Sequence, residues 1–109
     1  MNTKDLVDKI GLKPLSNYET REINGVFVSD MISDVMTGAK SGNLWLTIQT
    51  HKSIVPTANL ADMSAIIITN NKKVPDETVE LASKYKIALL SANMSTYELA
   101  IKLHEIGLK

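Results

Sequence analysis

The sequence predicts a small α/β domain in which a mostly parallel sheet carries helices on its faces. Its second half reads strand–helix–strand–helix over residues 64–107, an order that requires neighbouring parallel strands joined by a right-handed crossover. The apolar runs at residues 64–69 and 87–90 have the length and composition of strands buried on both faces. A length of 109 residues with 44% hydrophobic residues fits a single domain spanning residues 1–109.

The N-terminal quarter of the chain predicts one helix followed by a hairpin. The helix is expected over residues 3–10, with Thr3 as its cap and Gly11 as its end. A strand or turn follows it. The Asn-Gly pair at positions 24–25 is a tight-turn signal, which predicts a hairpin whose returning strand covers residues 26–28.

The middle of the chain predicts a second helix, a central strand and an irregular segment. Ser29 is interpreted as a helix N-cap, with Asp30 in the first turn where negative charge is favoured. Residues 44–48 alternate in a way that leaves both faces apolar, which predicts a central strand. Pro56 denies residues 54–60 a full ladder of hydrogen bonds, so this segment is predicted to be an edge-like extended piece or an irregular turn.

Each of the two buried strands of the second half is followed by a predicted helix. Pro75 suits the first turn of one helix, and Asp76 and Glu77 follow it there. Ser95 and Glu98 form a capping-box pattern for the last helix. The chain therefore places a polar loop and a helix start after each buried strand.

Composition and charge exclude several functional classes. The 12 Lys and Arg residues balance 12 Asp and Glu residues, which argues against a nucleic-acid binder that neutralises many phosphates. Cysteine is absent, which excludes disulfides, thiolate catalysis and thiolate metal sites. The first 13 residues do not resemble a signal peptide, and no apolar run approaches the ~20 residues that span a bilayer. We therefore expect a cytoplasmic protein without a nucleic-acid or membrane partner.

Catalytic and cofactor motifs are missing. Neither the P-loop nor the dinucleotide fingerprint G-x-G-x-x-G occurs, and no Ser lies in G-x-S-x-G. His51 and His104 have no carboxylate at ligand spacing, so no metal site and no cofactor are predicted. His51 is interpreted as a turn histidine bonded to backbone, with ligand contact as the alternative. Asp30 and Asp34 are interpreted as a solvated helix face rather than a paired-carboxylate site. Lys72 and Lys73 are interpreted as part of a solvated loop, with contact to an anion as the alternative.

The ends of the predicted parallel strands give the best physical indication of a site. Ligands of parallel sheets bind in the crevice beyond the carboxyl ends of the strands. The loops expected there are rich in amide and hydroxyl groups, which hydrogen-bond polar ligands, although turn and capping roles without a ligand would use the same groups. The ligand-binding candidates are Thr50, His51, Lys52, Thr69, Asn70, Asn71, Ser91, Asn93, Ser95 and Thr96.

The order of several short segments resembles the DRTGG domain family. The segments are residues 26–36, 44–51, 65–69, 75–77 and 89–103, so that the resemblance is strongest over residues 23–108. The family is similar to the N-terminal domain of HPr kinase/phosphorylase, whose fold the resemblance implies for this chain. It also implies an accessory or regulatory domain of a bacterial protein, of the kind that lies near bound adenine nucleotides at a dimer interface in regulated pyrophosphatases.

Two departures from the family pattern concern the motif that names it. Thr50-His51-Lys52 stands in the region of the Asp-Arg pair, so an anion contact made by that Arg does not carry over. The Thr-Gly-Gly reads Thr69-Asn70-Asn71 here. Because Asn tolerates left-handed backbone better than most residues, we expect the turn to survive. The catalytic P-loop of the kinase belongs to another domain, so the resemblance implies no kinase activity.

The leading hypothesis is a non-catalytic regulatory or ligand-binding module that senses an adenine nucleotide or another phosphorylated or anionic metabolite as a homodimer. The alternative is a docking domain for signalling or metabolic enzymes without a small-molecule ligand. A third hypothesis is a small enzyme with His51 as acid or base. The residues that would pack either at a dimer interface or in the core are Met31, Met36, Trp45, Met63 and Met94.

Overall fold

A computed structural model describes residues 1–109, which form five strands and five helices. The strands are β1 (Lys13–Pro14), β2 (Gly25–Val28), β3 (Asn43–Thr47), β4 (Ala65–Ile68) and β5 (Ala88–Ser91). The helices are α1 (Thr3–Ile10), α2 (Ile32–Gly38), α3 (Ile54–Leu60), α4 (Asp76–Lys84) and α5 (Thr96–Glu105). None of these helices is both long enough and apolar enough to cross a lipid bilayer.

The strands form a single sheet in the order β1-β5-β4-β3-β2. Strands β2 to β5 run parallel, and only β1 is antiparallel, at the outer edge of β5. Ala65 of β4 lies opposite Ala88 of β5, so the two buried strands are adjacent and point the same way, as predicted. The predicted α/β class with a mostly parallel sheet is confirmed.

Helices cover both faces of the sheet because the interior strands are apolar on both sides. On β3, Leu44 and Leu46 belong to the core layer under α1 and α5, whereas Trp45 belongs to the layer under α2, α3 and α4. All five residues of β3 are buried, and β3 has a parallel neighbour on each side. The predictions of a central strand and of its alternating faces are therefore correct.

The residues considered for a dimer interface divide between core and surface. Trp45 is completely buried and Met63 is almost so. The indole N–H of Trp45 donates to the carbonyl of Ser29 at 2.8 Å, which satisfies its polar atom inside the core. Met31 and Met36 are exposed, whereas Met94 is half-buried against the core layer under α1 and α5.

The prediction for residues 54–60 is wrong, because this segment is helix α3. Pro56 is its third residue. The first four N–H groups of a helix have no partner within the helix, so the missing N–H of proline costs no hydrogen bond there. Ile54, Val55 and Ala58 are buried under the sheet, and this burial stabilises a short helix that lacks a side-chain cap.

The predicted hairpin at Asn24-Gly25 is also wrong. Neither residue has a positive φ, and Gly25 starts a strand that pairs in parallel with β3. The backbone N–H of Asn24 donates to the carbonyl of Gly42 at 3.1 Å, and its side-chain amide donates to the carbonyl of Ser41. Asn24 therefore fastens the start of β2 to the loop before β3. The strand predicted at residues 26–28 does exist, but it returns from no hairpin.

Two predicted helix caps are displaced along the chain. The N-cap of α1 is Asn2, whose side chain accepts from the N–H of Asp5 at 2.8 Å, while Thr3 is buried instead. Ser29 lies ahead of α2, which begins at Ile32. Asp30 is therefore outside the helix and shares no helix face with Asp34. The cap predicted for α5 is correct, because Ser95 accepts from the N–H of Glu98 at 3.1 Å.

Candidate functional site

The loops after β4 and β5 meet at the carboxyl edge of the sheet, as their parallel pairing requires. The N–H of Asn70 donates to the carbonyl of Met94 at 2.8 Å, and the N–H of Asn71 donates to that of Ala92 at 3.0 Å. The hydroxyls of Thr69 and Thr96 lie 2.7 Å apart. These bonds join the two loops into one surface, which includes four of the residues predicted from the sequence.

The turn after β4 keeps its left-handed backbone although it lacks glycine. Asn70 has a φ of 64° and Asn71 a φ of 50°, values that Asn adopts more readily than most side chains. The expectation that the turn survives the change from Gly-Gly to Asn-Asn is correct. Both N–H groups are bonded to the β5 loop and are not free for a ligand, whereas the side chains of the two residues are exposed.

The loop after β3 lies against the start of α4. The hydroxyl of Thr78 donates to the carbonyl of Thr50 at 2.7 Å, and the ammonium of Lys52 lies 2.7 Å from the carboxylate of Glu77. The hydrogen bond from Lys52 and its positive charge hold the pKa of Glu77 below its usual range. Lys52 is therefore paired already, which makes it a weaker anion contact than a free lysine.

His51 is an exposed turn residue bonded to backbone, as interpreted from the sequence. Its Nδ1 accepts from the N–H of Ser53 at 3.1 Å and lies 2.9 Å from the hydroxyl of the same serine. This bond closes the turn ahead of α3. The partner that orients the imidazole is thus a serine, whereas catalytic histidines are commonly oriented by a carboxylate.

A cleft of about 350 Å³ opens at this edge of the sheet, where the loop after β4, the start of α4 and the edge strand β1 meet. Two of the predicted residues, Asn71 and Ser91, line it. The other eight lie outside its lining. The complete lining is Lys13, Leu15, Asn71, Lys72, Lys73, Val74, Asp76, Val79 and Ser91.

The cleft carries more positive than negative charge. Its lining has three lysines, Lys13, Lys72 and Lys73, against one carboxylate, Asp76. None of the four takes part in an ion pair. The backbone N–H groups of Lys72, Lys73 and Val74 donate to no protein acceptor. Free ammonium and amide donors in one concave surface are the groups that bind oxyanions.

Lys13, Lys72 and Lys73 are not among the ligand-binding candidates predicted from the sequence, although contact of Lys72 and Lys73 with an anion is the alternative to a solvated loop. Lys72 and Lys73 follow the β4 turn directly, and their position after a parallel strand was the signal available in the sequence. Lys13 reaches the cleft because it lies opposite Ser91 in the antiparallel β1–β5 pair. No local pattern in the sequence predicts that pairing. A second cleft, of about 190 Å³, is lined by Lys9, Ile10, Lys102, Glu105 and Ile106 and holds no predicted residue.

Comparison with known structures shows the same fold in a regulatory region. The chain is similar to the crystal structure of the CBS and DRTGG domains of the regulatory region of a Clostridium perfringens pyrophosphatase complexed with its activator, diadenosine tetraphosphate. The TM-score is 0.70 at 15% sequence identity, over 93% of this chain and 45% of that chain. At this identity the likeness establishes the fold, and this chain spans less than half of that one.

Comparison of sequences establishes the family. No curated protein sequence matches the chain significantly. The family described as the HPr Serine kinase N terminus matches residues 45–106, which is more than half of the chain. The matched segment includes the last three residues of β3, all of β4 and β5, and the loops that follow these strands, so it contains most of the carboxyl edge. The predicted resemblance to the DRTGG family is confirmed, and this chain belongs to the family of the HPr serine kinase N terminus.

Proposed function

We propose that residues 1–109 form a non-catalytic regulatory module, cytoplasmic and homodimeric, that binds an anionic metabolite. An adenine nucleotide is the first ligand to test, because the C. perfringens structure of the same fold is a regulatory region bound to a nucleotide activator. The family membership and the missing P-loop both favour regulation over catalysis.

The observation that carries this proposal is the trio of unpaired lysines in the cleft. Lys13 comes from β1, whereas Lys72 and Lys73 come from the loop after β4, so one anion would contact two separate segments of the chain. Each exposed charge pair at ~4 Å is worth about 1 kcal/mol in a water-like dielectric. Three such pairs with hydrogen bonds from Asn71 and Ser91 give the modest affinity that suits a sensor of metabolite level.

The remaining predicted residues have distinct roles in this proposal. Thr69 and Thr96 fix the two loops to each other through their hydroxyls, and Ser95 caps the helix that follows. Asn70 and Asn93 are exposed near the same loops and would contact a ligand that extends beyond the cleft. Thr50 and Lys52 hold the neighbouring loop against α4, and His51 closes the turn ahead of α3.

Removing two cleft lysines tests the proposal. Titration calorimetry with AMP, ADP, ATP and ribose 5-phosphate is expected to show binding by the native chain and at least tenfold weaker binding by the double variant Lys72→Ala/Lys73→Ala. Tenfold corresponds to about 1.4 kcal/mol. The control is Lys4→Ala/Lys40→Ala, which removes the same charge from exposed lysines outside the cleft. The proposal is wrong if none of these compounds binds or if both double variants bind equally.

Exposed apolar side chains favour association with a second protein surface. Val28 is 54% exposed at the end of the edge strand β2, and Met31 is 60% exposed just after it. The outer edge of β2 has no strand partner, and unpaired edges are templates for pairing between chains. Light scattering is expected to give a dimer, and a strict monomer at high concentration would contradict this part of the proposal.

The same surface suits the alternative function, docking to an enzyme without a small-molecule ligand. The two functions differ in what the native chain binds. Docking would be favoured over ligand sensing by three results together. The native chain is a monomer, it gives no heat with any phosphate compound, and it binds a purified partner enzyme that the Met31→Asp variant does not bind.

A further inference from the structure

We infer that Asp76 selects among the anions that enter the cleft, favouring phosphate esters that carry hydroxyl or amino donors over inorganic phosphates. This inference rests on the proposed function, because it concerns the same cleft. It narrows the ligand class to the phosphomonoester of a sugar or nucleoside.

The carboxylate of Asp76 shares the cleft with the lysines. Asp76 is the first residue of α4 and lines the cleft together with the three lysines. It forms no ion pair with any of them, although its neighbour Glu77 is paired with Lys52. Asp76 therefore keeps its acceptor oxygens free inside a cleft that is otherwise a surface of donors.

The carboxylate of Asp76 interacts differently with phosphate oxygens and with hydroxyl or amino groups. An ionised carboxylate only accepts hydrogen bonds. It repels phosphate oxygens that come close, and it attracts the hydroxyl or amino hydrogens of a ligand. A cleft lined by three lysines and one carboxylate thus offers both positive donors and an acceptor, which suit a ligand with an anionic group and hydrogen-bond-donating groups.

The volume of the cleft suits a ligand larger than inorganic phosphate. A volume of about 350 Å³ corresponds to about twelve water molecules at their ~30 Å³ share of the liquid. Inorganic phosphate has five heavy atoms and would leave more than half of this space empty. Leu15, Val74 and Val79 supply apolar lining for the rest of a ligand. The volume lies at the lower end of the range for small-molecule sites, which fits a sugar phosphate or a mononucleotide.

The experiment compares two classes of probe on three forms of the chain. Calorimetry measures Kd for AMP and ribose 5-phosphate, and for inorganic phosphate and pyrophosphate, with the native chain, Asp76→Asn and Asp76→Ala. The native chain is expected to prefer the esters at least tenfold. Both variants are expected to lose about tenfold of that preference, because inorganic phosphates bind better once the negative charge is removed. Asp76→Ala also removes the acceptor for the esters, whereas the amide oxygen of Asn still accepts a hydrogen bond.

The control is Glu80→Gln, which removes a negative charge from the exposed residue one turn further along α4 and outside the cleft. It is expected to leave the preference unchanged. Thermal unfolding by circular dichroism verifies that each variant is folded, since Asp76 also lies in the first turn of its helix.

The outcomes separate this inference from the proposed function. One outcome is that the compounds bind the native chain, that Lys72→Ala/Lys73→Ala weakens this binding, and that Asp76→Asn changes the Kd of all four compounds by the same factor. In that case the cleft binds anions and the selectivity inference alone is wrong. The inference also fails if the preference is the same in Asp76→Asn and Glu80→Gln. If no phosphate compound binds the native chain, both the proposed function and the inference are wrong.

Discussion

Asn70 and Asn71 adopt the left-handed backbone where the family pattern has two glycines. The left-handed backbone costs most L residues about 1–2 kcal/mol of conformational free energy, and it costs Asn less because the short side chain of Asn forms local hydrogen bonds. Glycine would remove the strain, but it would also give the unfolded chain more freedom. Two consecutive Asn residues therefore hold the turn that positions Asn71 on the cleft at a small net cost.

Replacing either residue separates the backbone effect from the loss of the amide. Asn70→Ala and Asn71→Ala are each expected to lower the free energy of unfolding by about 1 kcal/mol, because Ala pays the left-handed penalty in full. The corresponding Gly variants are expected to stay within about 0.5 kcal/mol of the native chain. Urea unfolding measures both, and Asn93→Ala, exposed and without a positive φ, is the control. Equal losses for Ala and Gly would show that the amide, not the backbone, matters.

At the scale of elements, the sequence predicts the buried strands of the second half, their parallel pairing and the cap of α5, but not the structure around Pro56 or Asn24-Gly25. The buried run that forms β4 and the Ser95 cap of α5 depend on neighbours within a few residues, and both were correct. Pro56 was misread because proline excludes a central strand and also suits a helix start, and only burial under the sheet decides between them. The Asn-Gly signal at 24–25 predicted a hairpin, but parallel pairing with β3 overrides it.

The candidate site also contains some features that the sequence predicts and others that it does not. Strand direction alone predicts that the loops after β4 and β5 meet at the carboxyl edge, since parallel strands end together, and the structure has them there. Within it, the sequence pointed to Asn71 and Ser91, which line the cleft. Lys13 was missed because it arrives on a two-residue strand whose partner, β5, lies more than seventy residues further along the chain. Contacts between residues so far apart in the chain produce no periodic pattern in the sequence.

The position of Pro56 within α3 leads to a prediction about the stability of this helix. Pro56→Ala is expected to change the free energy of unfolding by less than about 1 kcal/mol, because the third N–H of a helix has no partner within it. Asn59→Pro is expected to cost about 3 kcal/mol, since proline in later turns removes a hydrogen bond and clashes with the preceding turn. Asn59→Ala at the same exposed position is the control. Comparable losses from Pro56→Ala and Asn59→Pro in urea unfolding would contradict this account of the helix.

For the molecule as a whole, the single arginine joins distant parts of the chain at the edge opposite the cleft. Arg21 donates to the carbonyl of Met63 at 2.9 Å and lies 3.0 Å from the carboxylate of Asp62. Ser41 donates to the same carboxylate. The connection before β2, the loop before β3 and the loop before β4 are thereby held together at the amino edge, while the carboxyl edge is left to the cleft.

The hydrogen bond from Ser41 and the charge of Arg21 hold the pKa of Asp62 below its ordinary value of 3.8. A carboxyl with a lowered pKa stabilises the fold above its unfolded-state pKa, and this contribution is lost as pH falls through the folded-state value. Asp62→Asn is therefore expected to be less stable than the native chain at pH 7, with the difference shrinking towards zero below pH ~3.8. Urea unfolding at pH 7, 5 and 3 measures it. Repeating the comparison in an Arg21→Gln background is expected to reduce the pH-dependent part, and a difference that stays constant from pH 7 to 3 would show that Asp62 acts by packing rather than by charge.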